Sequence, residues 1–321
     1  MKPLISIIIP SKNSSKTIKK LLESIFICRD KNFFEVIVVD SSNDNTTTIL
    51  KEFPVKIFRV PFTRQRNATK LRNIGIVKAK GEFLYFVDAD SFIERGWQNH
   101  LGQIVKNDVQ VFGGQVSTKG RFFDFYCENS LKSTMRHFQK SFKVNKSNFY
   151  KGNWPLAGNL CVKKNIFKKI GKFDEGMENY EEVDFIWRAC LKGIDVRMFP
   201  SPKVIHSYNK SIVDGMKTYF RYGNGFGKFV VKYPTSILSI FRLSFSLLFF
   251  SLFLLFIFSI LFAQQNLPYF LIPFIGLFIY HMAKKNFDKK LLFPLFDLIY
   301  VGISYNIGVI YSILEKLLYK K

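Results

Sequence analysis

Two aspartates follow directly on an apolar segment of the sequence. Asp88 and Asp90 come after residues 82–87, at a position where the chain is expected to turn. Two carboxylates at this spacing can both reach one divalent cation, because Mg²⁺ and Mn²⁺ accept oxygen ligands. Such a cation would bridge a diphosphate and neutralise the charge that develops as the diphosphate leaves. Since most Asp-x-Asp pairs are solvated loop residues, this interpretation depends on the elements around the pair.

Strand-like and helix-like segments alternate before these aspartates. The sequence predicts strands at 4–10, 34–40, 55–60 and 82–87, and helices at 14–27, 46–53 and 64–79. Alternation with short connections predicts an α/β fold with a doubly wound, mainly parallel sheet and helices on both faces. Ligands of such sheets bind at the carboxyl ends of the strands. Here those ends carry residues 10–13, 40–43 and 88–90, which are mostly polar or acidic.

The composition excludes some classes of function. The 321 residues include 48 Lys and Arg against 24 Asp and Glu, a formal net charge of +24, which requires anionic partners. We do not expect nucleic acid, because the sequence has neither a helix-turn-helix pattern nor an aromatic-rich strand motif. It also lacks GxGxxG after the first strand and GxxxxGK[ST], which argues against a dinucleotide-dependent dehydrogenase and a P-loop NTPase.

Further motifs occur in a fixed order along the chain. They are residues 5–13, Arg72-Asn73-Ile74-Gly75, Gly158-Asn159, residues 171–175, residues 180–188 and His206. With these motifs the sequence resembles the family 2 glycosyltransferases of the GT-A fold over roughly residues 4–210. The resemblance implies a Rossmann-like GT-A domain. It also implies transfer of a sugar from a nucleotide-diphosphate sugar, with inversion at the anomeric carbon.

The resemblance further implies which residues bind the donor. The nucleotide-sugar-binding residues would be Pro10, Asn13, Asp40, Arg72, Asp88 and Asp90. Asp40 would contact the nucleotide base, and Arg72 would meet the base or the diphosphate. The metal ligands would be Asp88, Asp90 and His206, with Mn²⁺ or Mg²⁺ as the cofactor.

Inverting transfer needs a general base within hydrogen-bonding reach of the attacking hydroxyl. The family usually has a Glu-Asp pair here, whereas this chain has Glu181-Glu182 and then Asp184. We favour Glu182 as the base and keep Glu181 and Asp184 as alternatives, because acids in a first helical turn also interact well with the helix dipole. On the acceptor side we expect Trp154, Gly158, Asn159 and Glu181. Trp154 would stack on a sugar face or belong to the core.

The composition changes near residue 236. Residues 237–321 carry only 8 of the basic and 3 of the acidic residues, so we expect a catalytic domain over 1–236 and a membrane region over 237–321. Transmembrane helices are expected at about 243–263 and 267–283, because these uncharged runs approach the length that crosses a hydrocarbon core of about 30 Å. Residues 291–314 are either a third transmembrane helix or, as we favour, an interfacial or re-entrant helix.

The lysines of residues 284–290 set the expected orientation. The positive-inside rule puts this cluster, and with it the catalytic domain, on the cytoplasmic face of the cell membrane in a multi-pass protein. We therefore expect a lipid-linked or glycolipid acceptor and contact with anionic membrane lipid. The alternative is a non-catalytic membrane protein of the same fold that only binds sugar nucleotide or glycan.

Two further segments carry an expectation. Apolar residues at 131, 135, 138 and 142, with basic residues around them, predict a basic amphipathic helix over 131–146. It would lie on the membrane surface or pack on the sheet. The glycine-rich residues 223–227 are expected to bend the chain as it reaches the membrane.

Overall fold

The computed structural model describes residues 4–27, 33–65, 68–119, 138–177, 179–207, 212–262 and 302–318. These residues fall into two compact units. The described residues up to 207 form the first unit, and those from 212 onwards form the second. The boundary predicted at 236–237 therefore lies within the second unit, because the helix at 212–232 packs there against a helix near the end of the chain.

The strands in chain order are β1 (Ile5–Ser11), β2 (Phe34–Asp40), β3 (Lys56–Arg59), β4 (Phe83–Val87), β5 (Ser91–Ile93), β6 (Val111–Gly113), β7 (Val116–Lys119), β8 (Phe142–Val144), β9 (Asn159–Lys163), β10 (Val196–Met198) and β11 (Val204–Ser207). The helices are α1 (Ile18–Phe26), α2 (Thr46–Leu50), α3 (Ala68–Lys78), α4 (Trp97–Lys106), α5 (Ile166–Ile170), α6 (Glu181–Leu191), α7 (Ile212–Lys232), α8 (Ile237–Phe262) and α9 (Ser304–Leu318). Short 3₁₀ turns lie at Lys146–Lys151 and Glu175–Met177.

The large sheet has the strand order β3-β2-β1-β4-β9-β6-β10-β8. Its first four strands are parallel, with Ser11 opposite Asp40 and Asp40 opposite Arg59, so their carboxyl ends meet at one edge. This confirms the parallel arrangement predicted for the first ninety residues. Beyond β4 the sheet is mixed: β9 runs antiparallel to both β4 and β6, and β8 runs antiparallel to β10.

Helices cover both faces of the large sheet. On one face, Ile5, Ile7 and Ile9 of β1 share a buried cluster with the apolar residues of α1 and α4. On the other face, α3 packs on β1 and β2, and Phe86 of β4 contacts the phenylalanines of α5 and the following loop. Strands covered on both faces read as continuous apolar runs, which is why β1, β2 and β4 were recognisable in the sequence.

A small sheet holds the residues that follow β4. Its strand order is β5-β11-β7, with β5 antiparallel and β7 parallel to β11. The register pairs His206 with Ser91, the residue directly after Asp90. The small sheet therefore brings a histidine distant in sequence to the end of β4.

The amphipathic helix predicted over 131–146 is wrong where the structure describes it. Residues 142–144 form β8, an edge strand that pairs Phe142 with Met198 and Lys143 with Arg197 of β10. The rings of Phe138 and Phe142 lie 5.0 Å apart, and the carbonyl of Phe138 accepts a hydrogen bond from the Gln115 side chain. Sheet pairing thus overrides the helical spacing. Residues 131–137 lie outside the described part.

The second unit depends on close helix packing between α7 and α9. A Cβ atom on Gly223 would collide with the carbonyl oxygen of Tyr305, and one on Gly308 with that of Phe220. The bend expected at residues 223–227 is not found, because α7 continues through them as one helix. The glycines instead allow the two helix backbones to approach.

The predicted membrane segments fall partly on helices of the second unit. Among the described residues, no helix is long and apolar enough to cross a membrane. The predicted segment 243–263 falls on α8, whose last described residue is Phe262, and the segment 267–283 lies outside the described part. Of the segment 291–314, the described residues belong mainly to α9.

Candidate active site

Three potential metal ligands converge at the end of β4. One ligand atom each from Asp88, Asp90 and His206 lie within 4.8 Å of one another. The Nε2 atom of His206 is 3.6 Å from Oδ2 of Asp88, and its Nδ1 atom is 3.2 Å from Oδ1 of Asp90. Two carboxylates and one imidazole are a donor set that can bind a divalent cation. The predicted ligands are therefore brought together in a geometry that fits a divalent cation.

Gly158 forms the wall of this metal-ligand cluster. A Cβ atom built on Gly158 would lie 2.8 Å from both Oδ2 of Asp88 and Nε2 of His206. That is closer than real Cβ contacts, so any side chain here would displace a ligand. Gly158 was predicted on the acceptor side, and the structure places it against the metal-ligand cluster.

Arg72 lies buried between two carboxylates. Its Nη2 atom donates to Oδ1 of Asp88 at 2.6 Å, and its Nη1 atom donates to Oε1 of Glu181 at 2.5 Å. Burial alone would lower the pKa of Arg72. The negative charges of Asp88 and Glu181 outweigh this effect and raise the pKa above its usual value, so the guanidinium stays charged. Removing one partner of a buried ion pair typically costs about 3–5 kcal/mol, because it leaves a charge uncompensated. Arg72 is thus a fixed structural cation.

Glu182 has a different environment from Glu181. No arginine in the described residues hydrogen-bonds to Glu182, whereas Glu181 is held by Arg72. Burial of the Glu182 carboxyl and repulsion from Glu181 raise the pKa of Glu182 to about 8. A carboxyl with a pKa near the operating pH is suited to general acid–base catalysis. Of the three candidates, Glu182 is the one with a raised pKa and with no hydrogen bond from an arginine in the described residues.

Asp184 is engaged elsewhere. It is fully buried, and its Oδ2 atom accepts a hydrogen bond from Nε of Arg188 at 2.8 Å. Arg188 also donates to the carbonyl oxygens of Ile170 and Lys172. These contacts tie α6 to the end of α5, so Asp184 has a structural role in this geometry.

Asp40 is fully buried at the end of β2. One carboxylate oxygen accepts from the amide and hydroxyl of Ser42, and the other from Thr47 and Arg59. Asp40 keeps its predicted place at the strand ends, but its carboxylate already has four donors. Sequence reasoning missed Arg59, although it ends the strand beside β2 and stands opposite Asp40 in register.

The other residues predicted to bind the nucleotide sugar, Pro10 and Asn13, lie near Asp40. Pro10 is buried within β1, and Asn13 is exposed with a positive φ of 51°. The side-chain oxygen of Asn13 accepts a hydrogen bond from the backbone amide of Asn43 at 2.9 Å. The backbone amide of Asn13 donates to the hydroxyl of Ser42 at 2.7 Å. These bonds join the loops that follow β1 and β2.

Two residues predicted on the acceptor side belong to the interior. Asn159 is 1% exposed; it accepts from Tyr85 and donates to the carbonyls of Gln115 and Pro202 at 2.8–2.9 Å. Trp154 is buried and stacks on Phe149, with ring centroids 4.7 Å apart. Asn159 thus joins β4, β9 and the loops beside β7 and β11, and Trp154 belongs to the core.

Comparison with known proteins agrees with this fold. The mixed α/β sheet, with its parallel half and acidic strand end, is GT-A-like. A model described as "Glycosyl transferase family 2" matches residues 6–168. The chain therefore belongs to glycosyltransferase family 2.

Curated relatives include two named glycosyltransferases. The chain is 28% identical over 185 residues to glycosyltransferase GlyG of Streptococcus pneumoniae, covering 53% of this chain and 60% of GlyG. It is 25% identical over 229 residues to glycosyltransferase AglE of Haloferax volcanii, covering 70% of this chain and 73% of AglE. The match thus spans about three fifths of the length of GlyG.

Solved structures share the fold. S. aureus TarS 1-349 in complex with UDP-GlcNAc has a TM-score of 0.54 and 18% sequence identity, covering 99% of this chain and 92% of that one. The same TarS fragment in complex with UDP has a TM-score of 0.52 and 19% identity, with the same coverage.

We predict that Gly158→Ala weakens cation binding with little loss of overall stability. The new methyl group would push Asp88 or His206 out of place, and disturbing the support of metal ligands typically costs 10–100-fold in affinity. Titration with Mn²⁺ and thermal unfolding would measure the two effects. Gly102→Ala in α4 is the matched control, because its Cβ would meet Phe33 at an ordinary 3.6 Å. Equal Mn²⁺ affinity in both variants would contradict the prediction.

Proposed function

We propose that the protein transfers a sugar from a nucleotide-diphosphate sugar, with inversion, in a cation-dependent reaction. The observation that carries this proposal is the convergence of Asp88, Asp90 and His206 within 4.8 Å, at the strand ends where GT-A-like sheets bind ligands. Family membership supports the transfer itself. The acidic cluster supports the cation.

The site is suited to hold the cation and the diphosphate together. Asp88, Asp90 and His206 would bind Mn²⁺ or Mg²⁺, and the nitrogen ligand favours Mn²⁺. The bound cation supplies charge neutralisation at the diphosphate. The carboxyl of Asp90 is half exposed, so it is accessible to a ligand, whereas Asp88 is oriented from behind by Arg72.

Glu182 is the proposed general base. The acceptor hydroxyl oxygen forms a bond to the anomeric carbon while the bond from that carbon to the diphosphate oxygen breaks. Glu182 takes the hydroxyl proton, and the nucleoside diphosphate leaves. Its raised pKa makes Glu182 an effective proton acceptor once ionised, and Glu181 and Asp184 are both held by arginines.

We further propose that the second unit attaches the protein to the cytoplasmic face of the cell membrane, where it meets a lipid-linked or glycolipid acceptor. The uncharged segments 243–263 and 267–283 support this proposal. So do the exposed apolar side chains on α8 and α9, such as Leu247 and Leu318. The net charge of +24 favours anionic lipid as a partner.

Cation dependence predicts that Asp90→Asn abolishes most transfer while the protein stays folded. An amide is a poorer ligand than a carboxylate and removes one negative charge from the metal-ligand cluster. Release of nucleoside diphosphate from a panel of nucleotide sugars, with Mn²⁺ or with excess EDTA, would measure the effect. Asp108→Asn is the control, because Asp108 is exposed and pairs with Lys163 outside the cluster. Robust transfer in excess EDTA would reject the cation-dependent reaction.

The assignment of Glu182 as the general base predicts how the rate of transfer depends on pH. Because Glu182 must be ionised to accept a proton, kcat/KM should fall as pH is lowered through the pKa of Glu182. That pKa lies at about 8 without a cation and lower with one nearby. Glu182→Gln should remove this dependence and lower turnover by roughly 10²–10⁴-fold. Exposed Glu52→Gln is the control. A near-normal Glu182→Gln enzyme would shift the assignment to Glu181 or Asp184.

Membrane attachment predicts that the full chain sediments with membranes and stays there in about 1 M salt, where surface charges are screened. Alkaline carbonate should not release it either, if apolar segments enter the bilayer. Cell fractionation followed by immunoblotting would measure this. Release by salt alone would indicate electrostatic attachment only, and recovery in the supernatant would reject the membrane proposal.

A further inference from the structure

The contacts of Arg72 do not match the role that was expected for it from the sequence. It was predicted to meet the nucleotide base or the diphosphate. Its side chain is only 5% exposed, and both of its terminal nitrogens are bonded to carboxylates of the chain itself. A guanidinium in this position has little surface to offer a nucleotide.

The two carboxylates belong to the two halves of the proposed reaction. Asp88 is a proposed cation ligand, and Glu181 directly precedes the proposed base, Glu182. Arg72 occupies Oδ1 of Asp88, while Oδ2 of the same carboxylate faces His206 at 3.6 Å. One oxygen is thereby fixed by the guanidinium, and the other is turned towards the metal-ligand cluster.

The residues next to Arg72 hold the same parts of the molecule together. Asn73 donates to the carbonyl oxygen of Phe173 at 2.9 Å and accepts from its amide at 3.1 Å, which fixes the loop that leads to α6. A Cβ on Gly75 would collide with the side chain of Ile8, so a glycine is needed for α3 to lie close on β1. The motif 72–75 therefore joins β1, α3 and the approach to α6.

We propose that Arg72 is a positioning residue that couples the cation side of the site to the base side, and not a nucleotide ligand. Its planar fork orients Asp88 towards the cation and holds the first turn of α6 so that Glu182 is correctly placed. This inference rests on the proposed cation-dependent transfer. Lysine cannot replace it, because an ammonium is a point charge that lacks the rigid fork needed to span both carboxylates.

The test measures Mn²⁺ binding to the full chain without nucleotide, by the loss of the spectroscopic signal of free Mn²⁺. Arg72→Lys and Arg72→Gln should each weaken Mn²⁺ binding by about 10–100-fold, as expected when the support of a metal ligand is lost. In kinetics, kcat should fall more than the KM for the donor rises. In EDTA, UDP should bind Arg72→Lys as well as it binds the parent.

Arg188→Lys and Arg188→Gln are matched controls. Arg188 also holds a buried carboxylate, that of Asp184 on α6, but no ligand of the metal-ligand cluster. These variants should lower the unfolding temperature and leave Mn²⁺ affinity unchanged. If Mn²⁺ affinity fell equally in both pairs of variants, the effect would be general destabilisation, and the proposal would be overturned.

Other outcomes are equally decisive. Unchanged Mn²⁺ affinity with weaker UDP binding would make Arg72 a nucleotide ligand after all. If neither Arg72 variant folds while both Arg188 variants do, the role of Arg72 is structural only, and the coupling proposal is rejected. A parent protein that binds no Mn²⁺ and is fully active in EDTA would reject the cation-dependent reaction itself. That result is seen without any variant and is therefore distinct from failure of the Arg72 proposal.

Discussion

The ion pairs of one buried arginine govern the arrangement of this site. Asp88, Asp90, Glu181 and Glu182 bring an excess of negative charge to the end of β4, and Arg72 bonds to two of them. This excess has two effects. It creates a place where a divalent cation is electrostatically favoured, and, together with burial of the carboxyl, it disfavours ionisation of Glu182. Cation binding and the base strength of Glu182 therefore both depend in part on this charge distribution.

Much of the first half of the fold is predictable from the sequence. The strand predicted at 34–40 coincides with β2, and those predicted at 4–10 and 82–87 differ from β1 and β4 by one residue at the ends. These strands are buried on both faces, so their apolar runs are unambiguous. By contrast, β6, β8 and β10 have three residues each, too few to show a period. Their pairing is decided by tertiary contacts, which is why 142–144 was mistaken for helix.

The candidate site is likewise predictable from the sequence only where local patterns determine it. The positions of Asp88 and Asp90 were predicted because they follow a strand whose end is visible in the local sequence. The position of His206 was predicted from the family resemblance. The partners of these residues could not be predicted in this way. Arg72 and Glu181 are 109 positions apart, and the closeness of Gly158 to the metal-ligand cluster depends on β9 running antiparallel to β4. No local pattern encodes such contacts. Asn159 was expected to contact the acceptor, and a core position was left open for Trp154, because burial of these side chains could not be seen from the sequence.

A wall made of backbone has a mechanical consequence at Gly158. Side-chain walls can yield by changing rotamer, but a glycine wall has no rotamers to change. On the side of Gly158, the space beside Asp88 and His206 can therefore widen only if the backbone at the start of β9 moves, and β9 lies between two hydrogen-bonded neighbours near the middle of the sheet. Such a shift requires breaking the hydrogen bonds of β9 to both neighbouring strands. Openings of central strands are among those with the highest free-energy cost in a folded protein. The stiffness of this wall is thus inherited from the sheet, and it should persist until the first unit as a whole unfolds.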